Sequence, residues 1–292
     1  MELPLITSRD NQYVKLACSL TSKKGRQQSG CFLLEGLRLA EEAVNAAWPL
    51  SYVLLNEEAA SQPPALTLVK RLLKRNVPAY TLPFGLFKQA SDTEHSQGLL
   101  LVAKLPPVRR QIPSEADFLL LADRLADPGN LGTIMRTAWA AGADALLLTP
   151  GCADPYSPKA ARASMGAVLR LPLLRFEDEA ALLALLKERD LALFAAAANG
   201  ESRYDTARLN QPLVWLFGAE ATGLSPFWRD ASTHSVYLPM AKGAESLNVA
   251  AAAAVLLYAT AAQRGFPEIE ARGEKLEARS YRGERREVRG EK

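Results

Sequence analysis

Histidine is nearly absent from this 292-residue chain, occurring only as His95 and His234. The three cysteines, Cys18, Cys31 and Cys152, are scattered without a CxxC pair or a nearby histidine. A His/Cys metal site is therefore not expected, and an odd number of thiols fits a reducing compartment. The shortage of histidine, with no GxSxG elbow, also argues against a Ser/His hydrolase. No GxGxxG follows a strand pattern and no GxxxxGK[ST] occurs, which disfavours an ordinary Rossmann cofactor site or a P-loop. The opening residues, "MELPLITSRDNQYVK", lack a basic segment followed by an apolar run, so a secretory signal is not read here. The longest apolar stretch, Leu247 to Ala262, is interrupted by Asn248 and falls short of the ~20 residues that span a bilayer. These absences predict a cytoplasmic protein with no metal and no membrane partner.

What is present is a folded α/β chain. A hydrophobic share of 48% and a charged share of 23% suit a globular protein long enough for two domains. The net charge of +3 permits a polyanionic partner without requiring one. Residues 1–104 alternate short apolar runs ("CFLLEG", "SYVLLN", "PAYTL", "GLLLVAKL") with amphipathic segments, and read as a small α/β domain. Residues 105–116, rich in proline and arginine, read as a linker. Residues 117–264 carry further apolar strands without clean alternation, the pattern of a mostly parallel sheet covered on both faces. Residues 265–292 have few apolar side chains and read as a disordered charged tail.

In an open parallel sheet, ligands gather beyond the C-terminal strand ends. Three such ends are unusual in this chain. "DPGNLGTIMRTAWAAGA" (127–143) reads as a helix whose core stripe is Leu131, Ile134, Met135, Ala138 and Gly142. Arg136 stands opposite among the small residues Gly132, Thr133 and Ala140. "FGAEATGLSP" follows the strand "PLVWL", and "LPMAKGAESLNVA" joins a strand end to a helix start. Each feature alone has a structural reading: Asn130 as a helix cap, Gly218 and Gly223 as turn glycines, Glu220 as a solvated loop carboxylate, and Ser246 with Asn248 as first-turn residues. Together they place glycines and polar groups around one sheet edge, with a guanidinium reaching toward it.

These three segments, in order and at suitable spacing, resemble the motifs of the SpoU/TrmH-type RNA ribose 2′-O-methyltransferases of the SPOUT superfamily. "YSPKAARASMGAVLRLP" is similar to the segment between the first and second motifs. The sequence departs from the usual pattern at Ala219, Ala221 and Ala250. The resemblance implies a parallel sheet with a C-terminal trefoil knot, preceded by a small RNA-binding α/β domain, in a homodimer. It implies S-adenosyl-L-methionine as cofactor, gripped by backbone groups around Gly218, Leu238, Met240 and Leu247. It implies a catalytic set of Arg136, Asn130, Glu220, Ser246 and Asn248. Because a guanidinium practically never deprotonates, Arg136 is read as a positioned cation for an RNA phosphate or the developing alkoxide, acting close to the partner subunit's cofactor.

Basic clusters at Ser22–Arg26, Lys70–Arg75 and Arg109–Arg110 suit phosphates, although such runs are usually solvated faces. Ribosomal RNA is the favoured substrate and transfer RNA the runner-up. A catalytically silent RNA-binding or ribosome-assembly protein is the alternative from another class, and a small-molecule methyltransferase is a remote third.

Overall fold

The computed structural model describes residues 3–107, 111–244 and 246–266. Arg109, Arg110 and all but the first two residues of the expected tail lie outside the described residues. The chain builds two sheets. The first contains β1 (Cys31–Glu35), β2 (Leu50–Asn56), β3 (Ala79–Leu82) and β4 (Leu99–Lys104), in the order β1-β4-β2-β3. Its β4 runs antiparallel to both β1 and β2, while β2 and β3 are parallel. Around it lie α1 (Gln12–Ser19), α2 (Lys23–Ser29), α3 (Leu37–Asn45), α4 (Pro63–Lys74) and α5 (Phe84–Ala90).

The second sheet contains β5 (Phe118–Ala122), β6 (Ala145–Leu148), β7 (Leu173–Arg175), β8 (Ala192–Ala196), β9 (Ser202–Arg203), β10 (Leu213–Phe217) and β11 (His234–Tyr237). Their order is β7-β6-β5-β10-β8-β11-β9, and every pairing is parallel. The expected sheet is present. Every residue of β5, β6 and β10 is buried, which is why these strands read as unbroken apolar runs. The helices here are α6 (Pro128–Ala140), α7 (Pro158–Ala163), α8 (Glu179–Glu188), α9 (Pro226–Ala231) and α10 (Val249–Arg264).

One apolar cluster runs from Phe32, Val53 and Leu101 of the first sheet to Leu120, Trp215 and Leu257 of the second. The two units therefore share a core layer, and each has a further cluster on its outer face. Within the segment expected as a linker, Ile112 and Ala116 are buried against the second sheet. The Arg189 guanidinium donates to the carbonyls of Pro113, Ser114 and Ala116. These residues are held against the sheet and do not form a solvated tether.

Two of the basic clusters differ from expectation. Arg26 is buried and forms an ion pair with Asp154 at 2.6 Å, crossing between the units. Arg71 donates to Asn45 Oδ1, and Arg75 donates to the Val44 carbonyl in the last turn of α3 and to the Trp48 carbonyl beyond it. Their guanidinium groups bond to the chain itself; Arg26 is buried, while Arg71 and Arg75 stay exposed beside Lys23, Lys24, Lys70 and Lys74.

Candidate active site

Because all strands of the second sheet are parallel, the ends of β5, β10 and β11 lie along one edge. Helix α6 starts just beyond β5. Its cap is Asp127, whose Oδ1 accepts from the Asn130 backbone N–H at 2.8 Å, while Lys159 Nζ lies 3.0 Å from Oδ2. The amide first, and then the ammonium, hold the Asp127 carboxyl below the usual range. The cap expected at Asn130 thus falls three residues earlier. A carboxylate is the stronger acceptor for a helix N-terminus, and the Asn130 side chain is left free for another partner.

That partner is Asn248, the cap of α10. Its Oδ1 accepts from the backbone amides of Ala250 and Ala251 at 3.0 and 3.3 Å. Its Nδ2 donates to Asn130 Oδ1 at 3.0 Å and to Glu220 Oε1 at 2.5 Å. An amide nitrogen has two hydrogens, one for each acceptor, so this side chain uses its full hydrogen-bonding capacity. One residue thereby joins the three motif segments. Helix α10 is itself fixed by a buried bond from Trp215 Nε1 to Thr260 Oγ1 at 2.9 Å, and by Arg264 with Asp117 at 2.6 Å.

Glu220 stands on a loop that closes on itself. Ala219 and Gly223 exchange backbone bonds of 3.1 and 2.8 Å, and Gly223 has φ +67°, a conformation favouring glycine. A Cβ on Gly218 would lie 2.1 Å from the Gly223 carbonyl carbon. The contact that demands glycine at 218 is therefore made by the loop's own backbone. Beneath it lies Asp123, a fully buried carboxylate at the end of β5. It accepts from the Ser225 backbone N–H at 2.6 Å and faces Thr149 Oγ1 at 3.4 Å. Asp123 was not singled out from the sequence, although its place as the acid closing the apolar run "FLLLA" was visible.

The remaining expected residues are distributed differently. Arg136 is exposed and has no hydrogen bond or ion pair among the described residues. It lies six residues beyond Asn130, hence about 9 Å along the helix and roughly 120° around it. One chain therefore does not bring Arg136 to the Asn130–Asn248–Glu220 cluster. Thr133, Trp139 and Ala140 are exposed beside it, but Gly132 is buried. A Cβ at 132 would come within 2.5 Å of both the Ala160 carbonyl oxygen and Ala163 Cβ, so this glycine admits α7 rather than baring the face. Gly142 lies past the helix end, exposed, with φ +82°, and is not part of the core stripe.

Ser246 is exposed and stands outside the Asn248 cluster. Leu238 and Met240 are half-buried beyond β11, and Leu247 is exposed just before the α10 cap.

Residues 117–258 match the SpoU rRNA Methylase family, and residues 11–101 match an MRM3-like substrate binding domain. An uncharacterized tRNA/rRNA methyltransferase of Synechocystis is 34% identical, covering 88% of this chain and 93% of its own length. The chain belongs to the SpoU rRNA methylase family. A 23S rRNA (guanosine(2553)-2′-O)-methyltransferase of Bacillus subtilis is 31% identical, covering 87% of this chain and 97% of its own length. The SpoU methyltransferase AviRb of Streptomyces viridochromogenes, solved in complex with AdoMet, is 30% identical with a TM-score of 0.76. That alignment covers 87% of this chain and 98% of AviRb.

SpoU methyltransferases use S-adenosylmethionine. The residues here suit such a group. Its adenosyl part needs backbone donors and acceptors beside apolar side chains. Gly218 directly follows β10, Leu238 and Met240 lie half-buried after β11, and Leu247 is an exposed apolar side chain before the α10 cap.

Proposed function

We propose that this chain transfers a methyl group from S-adenosyl-L-methionine to a ribose 2′-hydroxyl of ribosomal RNA. The Asn248 amide carries this reading, because it gathers Asn130, Glu220 and the start of α10 at one sheet edge. The bound cofactor supplies an already activated methyl on sulfur. In the balanced step, the ribose O–C bond forms, the S–CH₃ bond breaks, and the hydroxyl proton passes to water or a neighbouring acceptor. The protein's task is alignment and management of that proton. Arg136 serves as a fixed cation for an RNA phosphate or the developing alkoxide. Asn130 orients the ribose, Glu220 and Asn248 hold the second and third loops together, and Ser246 supports the ribose from the third. The backbone near Gly218, Leu238, Met240 and Leu247 receives the adenosyl group.

The reading extends to the assembly. Because Arg136 points away from its own chain's cluster, we assign it to the site of a second copy in a homodimer. Exposed Trp139, Val255 and Tyr258, on the helices that carry Arg136 and Asn248, support that interface. Residues 1–104 are assigned to RNA binding, 105–116 to the connection, and 117–264 to methyl transfer through a threaded, trefoil-knotted C-terminal part. A cytoplasmic location belongs to the same proposal. The relatives named for rRNA favour that substrate over tRNA.

Labelled methyl transfer to separated ribosomal and transfer RNA, from cells lacking the gene, tests the reading. Label should enter ribosomal RNA, and Arg136→Ala should lower kcat by about a hundredfold or more, as expected for loss of a preorganised charge. Wild-type activity in Arg136→Ala would remove the arginine from its role. No label in either RNA would remove the enzyme reading.

A further inference from the structure

Helix α7 lies between the N-terminal unit and the site. On one side it packs against β1, and its Arg162 bridges two carboxylates of the first unit. Nη1 is 3.5 Å from Glu35 Oε2, and Nη2 is 2.7 Å from Asp92 Oδ2. Glu35 is nearly inaccessible, with 4% of its side chain exposed. It also accepts from Ser91 Oγ at 2.5 Å, Thr93 Oγ1 at 2.6 Å and the Asp92 backbone N–H at 3.2 Å. Three neutral donors and one guanidinium thus tie the 91–93 segment and the end of β1 to α7.

On its other side, α7 meets the first turns of α6 twice. Lys159 pairs with the Asp127 cap, and the Ala160 carbonyl and Ala163 Cβ fill the space where a Cβ of Gly132 would stand. Both contacts lie within three residues of Asn130. A short helix locked to one unit by Arg162 therefore supports the turn that presents Asn130 to Asn248.

We propose that Arg162 is a positioning residue for methyl transfer: its bridge to Glu35 and Asp92 seats α7, which in turn sets the first turn of α6 and the placement of Asn130. This deepens the methyltransferase reading and rests on it. The residues assigned to the adenosyl group, Gly218, Leu238 and Met240, are reached from this path only indirectly, through Asn248 and Glu220. Loss of the bridge therefore acts on turnover rather than on AdoMet affinity.

The test compares the full-length protein with Arg162→Met, Arg162→Lys and the double variant Glu35→Gln/Arg162→Met. The double variant removes the Arg162 and Glu35 charges, and the remaining Asp92 carboxylate is 40% exposed, so no uncompensated buried carboxylate is left to unfold the chain. Its melting temperature should recover most of the loss seen in Arg162→Met, short of wild type because the Gln amide nitrogen cannot accept from the Asp92 N–H. With ribosomal RNA from cells lacking the gene, at saturating AdoMet, Arg162→Met and the double variant should lose at least about tenfold in kcat, because small displacements of aligned groups are costly. Arg162→Lys should recover part of the loss, while the AdoMet dissociation constant stays within about twofold. Hydrogen exchange over residues 128–133 should quicken in both variants that lack the cation.

A kcat that recovers together with melting temperature in the double variant would show a purely stabilising role and overturn the proposal. Unchanged exchange over 128–133 would overturn it as well. Should the wild type label neither RNA class, the functional reading fails, while the exchange comparison still decides whether Arg162 sets the α6 turn.

Discussion

Asn248 spends one oxygen on its own helix and two hydrogens on two other segments. Aspartate at this position would keep the helix cap, since its carboxylate accepts as well as an amide does. It would, however, have no hydrogens for Asn130 and Glu220, and would set a second negative charge where Glu220 now receives a donor. Asn248→Asp is therefore expected to melt within a few degrees of wild type yet lose about tenfold or more of its methyl-transfer rate. Thermal melting alongside a labelled-methyl assay separates the two effects, and full activity would show that the bridge is dispensable. Residue identity was legible here, because Asn130, Glu220 and Asn248 stood out as polar groups at strand ends. Their pairing was not, since a hydrogen bond spanning 118 positions leaves no trace in local spacing. Asp127 shows the same limit at short range. Asp127 and Asn130, three residues apart, both suit a cap, yet only Asn130 was read as one, and the bond from its own N–H to Asp127 shows which side chain is free.

Helix α6 illustrates what periodicity conveys. Leu131, Ile134, Met135 and Ala138 are fully buried, as the apolar stripe indicates. Gly132 defeated that reading because glycine has no hydropathy to contribute, and its smallness serves a close helix contact as readily as an open face. Gly132→Ala would drive a methyl group to within 2.5 Å of a carbonyl oxygen and a neighbouring Cβ. The expected cost is about 1–3 kcal/mol, typical of an overpacked contact, read as a lower urea midpoint with the slope unchanged. An unaltered midpoint would mean that α7 yields without penalty. The short elements α1, α2, α5 and α9 and the two-residue β9 were not anticipated, because six to eight residues, or two, carry too little periodic signal.

At the scale of the molecule, two units with separate sheets would ordinarily unfold in separate steps. The shared apolar cluster and four bridging ion pairs, Arg26–Asp154, Arg162–Glu35, Arg162–Asp92 and Arg170–Glu42, argue for one. Scanning calorimetry of the full chain is expected to give a single transition, with Arg26→Met lowering its midpoint because the Asp154 carboxylate loses its partner. Two resolved peaks for the wild-type protein would show that the units are energetically independent. The two-sheet division was readable from alternating patterns and the proline-rich break. The shared core was not, because a residue buried between units looks the same in sequence as one buried within a unit.

The pairing of three guanidinium groups across the two units changes what the formal charge of the chain means. Arg26, Arg162 and Arg170 are paired with carboxylates of the same chain. A cation already neutralised inside the fold displaces no condensed sodium or potassium from a nucleic acid, so it adds nothing to the mass-action term that makes such binding weaken with salt. The grip on RNA will thus depend on ionic strength less steeply than a tally of arginines implies, and among the described residues that dependence falls to the exposed lysines and to arginines without a carboxylate partner, such as Arg136.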